Sequence, residues 1–307
     1  MSTLGKIYLA GICAFVRRYL DCRLHIACYF KSGCCQKLYN LRLPLHNRIM
    51  LVSGDYLPKI SVITVCLNCD ATIERTIKSV TAQTFSNIEY IIIDGGSEDH
   101  TLSIVDKYSA NIDIILSEKD HGIYDAMNKG IQLSHGDYIY FLNSGDYFFS
   151  ENTIQNVVDS TSLTGNFAFI YGDVIVYDDQ TKEYKSCFCA DEMDLMSGTI
   201  YHQGIFAKRE IFKQYGLFRC QYGIYADFDW ILRVVVQNAR KIHHIRQPVA
   251  YYLKGGVSAT QRKNHRFERY AVVAQYLTPK TMLRYAVSYP LAFPICLWYW
   301  TQIHYLK

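Results

Sequence analysis

Three short clusters in this chain of 307 residues hold residue types able to do chemistry. The first is Asp94-Gly95-Gly96-Ser97-Glu98-Asp99. An Asp here can accept a hydrogen bond from a nucleobase N–H, and paired glycines let backbone approach a ligand closely. The same residues also make an ordinary turn. The second is Asn143-Ser144-Gly145-Asp146. A carboxylate there can hold Mg²⁺ or Mn²⁺ against a diphosphate, because these cations favour oxygen ligands and keep several waters; a plain polar turn is the alternative. The third is Ala226-Asp227-Phe228-Asp229-Trp230, at the start of a helical pattern. Carboxylates are favoured in a first helical turn whatever the function, and one of them can also serve as a general base.

Each of the first two clusters follows a strand. Ile60 to Leu67 is a β-branched run that reads as buried strand; Ile73, Ile77 and Val80 then recur at helical spacing, predicting a helix from Thr72, its cap, to Gln83. The alternation continues with strand Tyr90 to Ile93, helix Thr101 to Tyr108, strand Ile112 to Leu116, helix Ile123 to Leu133 and strand Tyr138 to Leu142. Such alternation predicts right-handed crossovers onto a mostly parallel sheet, with ligands outside the carboxyl ends of its strands. The second half is less regular. It reads as a strand over Phe167 to Val176, helices over Lys208 to Tyr215 and Phe228 to Gln237, and a strand over Val249 to Leu253 ahead of Lys254-Gly255-Gly256.

Half of the residues are hydrophobic, enough for a sizeable α/β core. The formal charge of +4 is uneven. Residues 1 to 57 hold eight Lys or Arg against Asp21 and Asp55, and the remainder is slightly acidic. A basic head on a near-neutral body points to an anionic surface and away from nucleic acid. The eleven cysteines are scattered through a long chain with no evident cleavable signal, the pattern of reduced cytosolic thiols. Cys66 and Cys69 make a lone C-x-x-C without a second pair at zinc-site spacing, which reads as small residues at a strand end. The loop from Cys66 to Thr72 has no glycine, so a dinucleotide fingerprint is absent, as is a phosphate-binding P-loop.

Taken in order, these segments resemble the inverting glycosyltransferases of family 2 with the GT-A fold, and among them bacterial members that build exopolysaccharide, colanic-acid-like polymers and O-antigen. The resemblance spans about residues 58 to 258. It is carried by Ile60-Ser61-Val62-Ile63-Thr64 to Asn68, Ser79 and Gln83, Ile91-Ile92-Ile93-Asp94-Gly95-Gly96-Ser97, the run from Ser117 to Gly130, Phe141 to Asp146, His202-Gln203, the Asp227 segment, and Gly255-Gly256-Val257-Ser258. It implies a Rossmann-like nucleotide-binding sheet with helices on both faces. It also implies a nucleoside-diphosphate sugar as donor and a lipid-linked or glycan acceptor.

By the same resemblance Asp227 is the general base, and Asp146 with Asn143 holds Mg²⁺ or Mn²⁺ on the leaving diphosphate. Asp94 binds the nucleobase with Thr64 and Asn68 beside it; Gly96, Asp120 and Lys129 join the donor site; His202, Gln203 and Asp229 meet acceptor or donor sugar. One departure matters. The family's metal motif is usually written Asp-x-Asp, and here its first and third places are Asn143 and Gly145, leaving Asp146 as the charged ligand. Competing readings are a non-catalytic sugar-nucleotide or glycan-binding protein of this fold, and a nucleotidyltransferase, against which stands the missing glycine-rich phosphate loop.

The two ends read as appendages: residues 1–57, basic and apolar, and residues 259–307. Tyr285 to Ile303 has no charged residue and follows a basic stretch, while Pro290 and Pro294 interrupt it. The expectation is a re-entrant or surface-lying segment that holds the protein on the cytoplasmic side of the inner membrane.

Overall fold

The computed structural model describes residues 57–160, 167–178, 180–186, 192–198, 200–237, 241–256, 265 and 267–305. The expected N-terminal extension, all but its last residue, lies outside them.

The first half alternates as its periodicity requires. β1 (Ile60–Cys66), β2 (Ile88–Asp94), β3 (Ile114–Ser117) and β4 (Tyr138–Phe141) pair in parallel, with Cys66 opposite Asp94 and Asp94 opposite Ser117. All seven residues of β1 are buried, which is why it reads as an unbroken apolar run. The crossovers are α1 (Asp70–Thr81), α2 (Thr101–Asp106) and α3 (Ile123–Leu133). α1 buries Ile73, Ile77 and Val80 on one face, about 1.5–3 kcal/mol for each aliphatic side chain. α3 approaches β1 so closely that a Cβ on Gly130 would stand 2.5 Å from Ile63 Cγ2.

α1 starts earlier than predicted. Cys69 occupies the capping position, and Thr72 sits inside the first turn with its hydroxyl on the Cys69 carbonyl and near Ser144 Oγ. Gln83 lies past the last turn. Its amide nitrogen donates to Ser150 O and its oxygen accepts from Ile154 N, tying α1 to the start of α4 (Thr153–Ser160).

The remaining strands are β5 (Tyr147–Phe148), β6 (Phe167–Tyr177), β7 (Lys182–Lys185), β8 (Ile205–Lys208) and β9 (Lys241–Leu253). The sheet order is β3-β2-β1-β4-β8-β6-β9-β5, with β7 on β6. β8 runs antiparallel to both β4 and β6 and joins the halves. Sequence periodicity missed β5, β7 and β8, which are too short to show one, and placed only the end of β9. Its earlier part carries His243, His244, Arg246 and Pro248, and pairs with β6 through shifts of register near Asp173.

The sheet core has an apolar cluster on each face. One is built around Trp230, Phe212 and Phe218, the other around Ile73, Ile77 and Tyr90. Helices α5 (Glu192–Ser197), α6 (Arg209–Tyr215) and α7 (Ala226–Gln237) supply part of the first, with Trp230 stacked on Phe212 at 4.4 Å.

Beyond β9 come α8 (Glu268–Tyr276), α9 (Pro279–Ser288) and α10 (Phe293–Tyr305). Val272, Val273 and Cys296 are fully buried in the same cluster as Trp230, and these helices belong to the compact unit Gly54–Lys307. The described C-terminal helices thus help complete the core. α9 ends before Pro290, and α10 begins with Pro294 in its first turn, where a missing N–H costs nothing. Among the described residues no helix is long and apolar enough to cross a membrane.

Candidate active site

A cavity of about 370 Å³ opens where the carboxyl ends of β1 and β4 meet the end of β9. Its lining includes Asp120, Asn143, Asp146, His202 and Gln203, so most of the second cluster and part of the family run face one space.

At one end lies the turn after β2. Asp94 is fully buried, and its carboxylate accepts from the N–H groups of Gly96 (3.1 Å) and Ser97 (3.0 Å), from Ser117 Oγ (2.7 Å) and from Ser97 Oγ. Burial alone would raise its pKa, but the hydrogen bonds from Ser97, Ser117 and Gly96 hold it below the ordinary range. Through these bonds Asp94 shapes the loop that carries Gly96 at φ +88°. Thr64 is fully buried, donates to Leu142 O at 2.8 Å and joins β1 to the β4 end.

Asn68, at φ +49°, braces the same turn: its side-chain oxygen accepts from Glu98 N at 2.9 Å. Asp120 accepts from Gly122 N with one carboxylate oxygen, while the other lies over Gly95, 2.4 Å from where a Cβ would stand. Lys129 does not face the cavity. Its ammonium bonds to Glu118 at 2.8 Å and to Lys119 O, with Asp125 at 3.7 Å, so it fastens α3 to the loop after β3.

The second pole is the turn after β4. Thr76 of α1 clamps it by donating to Asp146 O and accepting from Gly145 N. Arg75 adds a bond to Gly145 O at 3.1 Å and stacks over Tyr147 and Tyr177. Gly145 adopts φ +98°, and a Cβ there would lie 2.9 Å from Leu253 Cδ2. This accounts for glycine at the third place of the motif, because only glycine takes that backbone without strain. Gly145→Asp is expected to destabilise the protein by about 1–2 kcal/mol or more; a thermal unfolding midpoint equal to wild type would contradict it.

Asp146 is almost completely buried, accepting from Leu253 N at 2.9 Å and Gln203 Nε2 at 3.1 Å. Burial pushes its pKa up to about 7, against the pull of the Leu253 N–H, His202, Gln203 and Arg75. Beside it, Asn143 Oδ1 is buried with no hydrogen-bond partner, while Asn143 Nδ2 faces His202 Nε2 at 3.1 Å.

The opposite ring nitrogen, His202 Nδ1, is 3.0 Å from Asp227 Oδ2. Asp227 and His202 keep side-chain exposures of 20% and 15%, and His202 lines the cavity. Donation from Nδ1 to Asp227 leaves Nε2 as an acceptor for Asn143, a tautomer assigned from the network. Tyr124, which sequence reasoning missed, is buried beside Asp227, and burial first, then the Asp227 charge, raises its phenol well above the usual range. Asp229 is corrected. It is fully buried and faces away from the cavity, accepting from Tyr276 at 2.8 Å, with Arg219 and Arg233 at 3.4 and 3.5 Å.

A preassembled cation cage is not present: among the described residues no three His, Cys, Asp or Glu side chains converge at ligand spacing. The orphaned Asn143 oxygen and the Asp146 carboxylate do fit a sparsely held cation that takes its other ligands from water and phosphate, as Mg²⁺ commonly does.

A mixed sheet with a nucleotide-sized cavity at its strand ends, flanked by a base candidate and a diphosphate pole, is the architecture of a GT-A glycosyltransferase. The chain belongs to glycosyl transferase family 2, whose model matches residues 61–226, and it is a glycosyltransferase. It is 31% identical over 207 residues to a PGL/p-HBAD biosynthesis glycosyltransferase of Mycobacterium bovis, covering 66% of this chain and 80% of the relative. An uncharacterized glycosyltransferase of Haemophilus influenzae is 26% identical over 201 residues, covering 62% and 67%. Among solved structures, S. aureus TarS 1-349 in complex with UDP-GlcNAc superposes with TM-score 0.60 at 17% identity, over 71% of this chain and 66% of that one. Mannosyltransferase PcManGT from Pyrobaculum calidifontis, in complex with GDP-Man and Mn2+, gives 0.58 at 17% identity, over 80% and 74%. At these identities the structures show the shared fold.

Proposed function

We propose that this enzyme transfers a sugar, with inversion, from a nucleoside-diphosphate sugar to a lipid-linked or glycan acceptor in cell-surface polysaccharide or glycolipid synthesis. The observation that carries the reading is the continuous hydrogen-bonded line Asp227–His202–Asn143 beside Asp146. Inverting displacement needs a base on one side of the anomeric carbon and charge neutralisation on the other, and this line joins the two.

Asp227 accepts the proton of the acceptor hydroxyl, and the His202 N–H fixes its carboxylate and offsets its charge. Asn143 Oδ1 and Asp146 would hold Mg²⁺ or Mn²⁺; bound there, the cation would supply Lewis-acid charge for the departing diphosphate. Gln203 orients Asp146 by its 3.1 Å bond and meets the donor at the cavity wall. Asp120, with Asn68 and Gly96 framing the turn, lies where the nucleoside would bind.

The test is a panel of UDP-, GDP- and dTDP-sugars with a glycan or lipid-linked acceptor, following nucleoside diphosphate release with and without Mn²⁺. Release with an inverted linkage supports transfer. Binding without turnover would identify a non-catalytic sugar-nucleotide protein, and pyrophosphate release a nucleotidyltransferase.

For location, the supporting feature is a ridge on α9 and the turn after it. Leu283, Val287 and Leu291 are 72%, 76% and 92% exposed, and Trp298 on α10 is 57% exposed. Aliphatic and aromatic side chains bared in this way suit the interfacial zone of a bilayer, and Arg284 stands exposed among them. The protein should therefore cosediment with vesicles containing anionic lipid, and Val287→Glu with Leu291→Glu should weaken that binding about tenfold or more. Equal sedimentation of the double variant would exclude this ridge as the contact.

A further inference from the structure

We propose that Cys66 and Cys69 form a thiol–disulfide exchange site on the wall of the cavity, with Cys69 as the attacking thiol, Cys66 as the resolving thiol, and a small-molecule disulfide as co-reactant.

Both residues line the same cavity as Asp146 and His202. Cys66 ends β1 and is buried; Cys69 is half-buried and stands at the N-terminus of α1, twelve residues long. A helix N-terminus favours an anion, and a thiolate placed there is the nucleophilic form of cysteine. The interaction with the neighbouring Cys66 thiol, supported by Ser144, the Leu67 backbone and Thr101 against the effect of burial, brings Cys69 down to about 7. The Cys69 contact first, then burial and the Asp94 charge, drive Cys66 the other way and keep its proton in place. The pair is thus divided into an ionising, reachable thiol and a protonated, buried one. Neither has a part in the glycosyl transfer described above.

The Cys69 thiolate attacks one sulfur of glutathione disulfide, forming a mixed disulfide and releasing one glutathione thiolate. Cys66 then yields its proton to that thiolate and attacks the Cys69 sulfur, expelling the second glutathione. The two cysteines lose two electrons and two protons, and one small disulfide becomes two thiols. Closing the bond removes the Cys66 Sγ–H donor that reaches Asp94 Oδ1 at 3.7 Å, and it pins Leu67 and Asn68, whose backbone and side chain brace the turn at Ser97 and Glu98. Oxidation should then weaken nucleotide binding, a consequence that rests on reading this cavity as the donor site.

The experiment treats the full-length protein with glutathione disulfide, alkylates free thiols and maps peptides by mass under non-reducing conditions. The expected result is a closed Cys66–Cys69 bond in wild type, a glutathione adduct on Cys69 in Cys66→Ser, and no adduct on Cys66 in Cys69→Ser. Both thiols alkylating freely after treatment, or the first adduct forming on Cys66, would overturn the assignment. Calorimetric titration of UDP and GDP should show affinity at least about tenfold weaker in the oxidised form, through loss of preorganisation, and restored by dithiothreitol. Equal affinity of the two forms would overturn the link to the cavity. If neither nucleotide binds the reduced protein, the donor reading fails, and the peptide map alone decides the exchange site.

Discussion

Asp227→Asn is expected to lower sugar transfer by about 10²–10⁴-fold while leaving nucleotide binding and the unfolding midpoint close to wild type, the loss typical for a general base. The amide can still accept the His202 N–H that now reaches Asp227 Oδ2 at 3.0 Å, so the local geometry survives while the basic oxygen is lost. The rest of the first turn offers no substitute, because Asp229 is sealed among Tyr276, Arg219 and Arg233. Measuring kcat against KM for the donor separates the roles: a fall confined to kcat fits proton abstraction, whereas near-normal turnover would place the base elsewhere in the cavity.

For Asp146→Asn, metal dependence and stability are expected to move in opposite directions. Removing the charged ligand should abolish most of the Mn²⁺-dependent gain in nucleoside diphosphate affinity, at least about 10–100-fold. The metal-free protein should become more stable. Burial pushes the Asp146 carboxyl up to about 7 in the folded state, above its ordinary value, so its contribution is fully present below that ordinary value and is lost as pH rises through about 7. The amide escapes this loss, and above pH 7 the variant should gain on the order of 1–4 kcal/mol. Unfolding curves at pH 5 and pH 8, with calorimetry in Mn²⁺ and in chelator, would check both halves. An undiminished Mn²⁺ effect would remove Asp146 from the cation site.

The sequence made the βαβ frame readable because its central strands β1, β2 and β4 are buried on both faces and its helices carry apolar residues at a period of 3.6. Ile60 to Cys66 and Ile73, Ile77 and Val80 are examples of each. It could not show β8, four residues between two long-range partners, nor the His- and Arg-bearing first part of β9, because these strands are made by their neighbours more than by their own pattern. At the site, the order of the clusters located the cavity, but not the job of each side chain. Asp94 followed by two glycines has the same appearance whether its carboxylate faces a ligand or turns inward on Ser97 and Ser117. The inward turn depends on Ser117, which arrives from a different strand. Lys129 was misread for a similar reason, since its partner Glu118 lies in the loop after β3. The approach of His202 to Asp227 follows from β8 pairing between β4 and β6, a tertiary event with no local signature.

The bond from the Leu253 N–H to Asp146 spans 107 residues of chain. Gln203 and Asp227 enter the site from intermediate points, so the Asp146 pole is complete only when β9 docks, whereas the turn after β2 closes with residues near it in sequence. A ribosome making this protein can release the whole parallel half, β1 to β4, long before Leu253 leaves the exit tunnel. During that interval β4 shows an open edge where β8 will later pair, a position at which an unpaired strand invites other chains. The Asp146 side of the site therefore matures late in synthesis, after the turn that follows β2 has already closed.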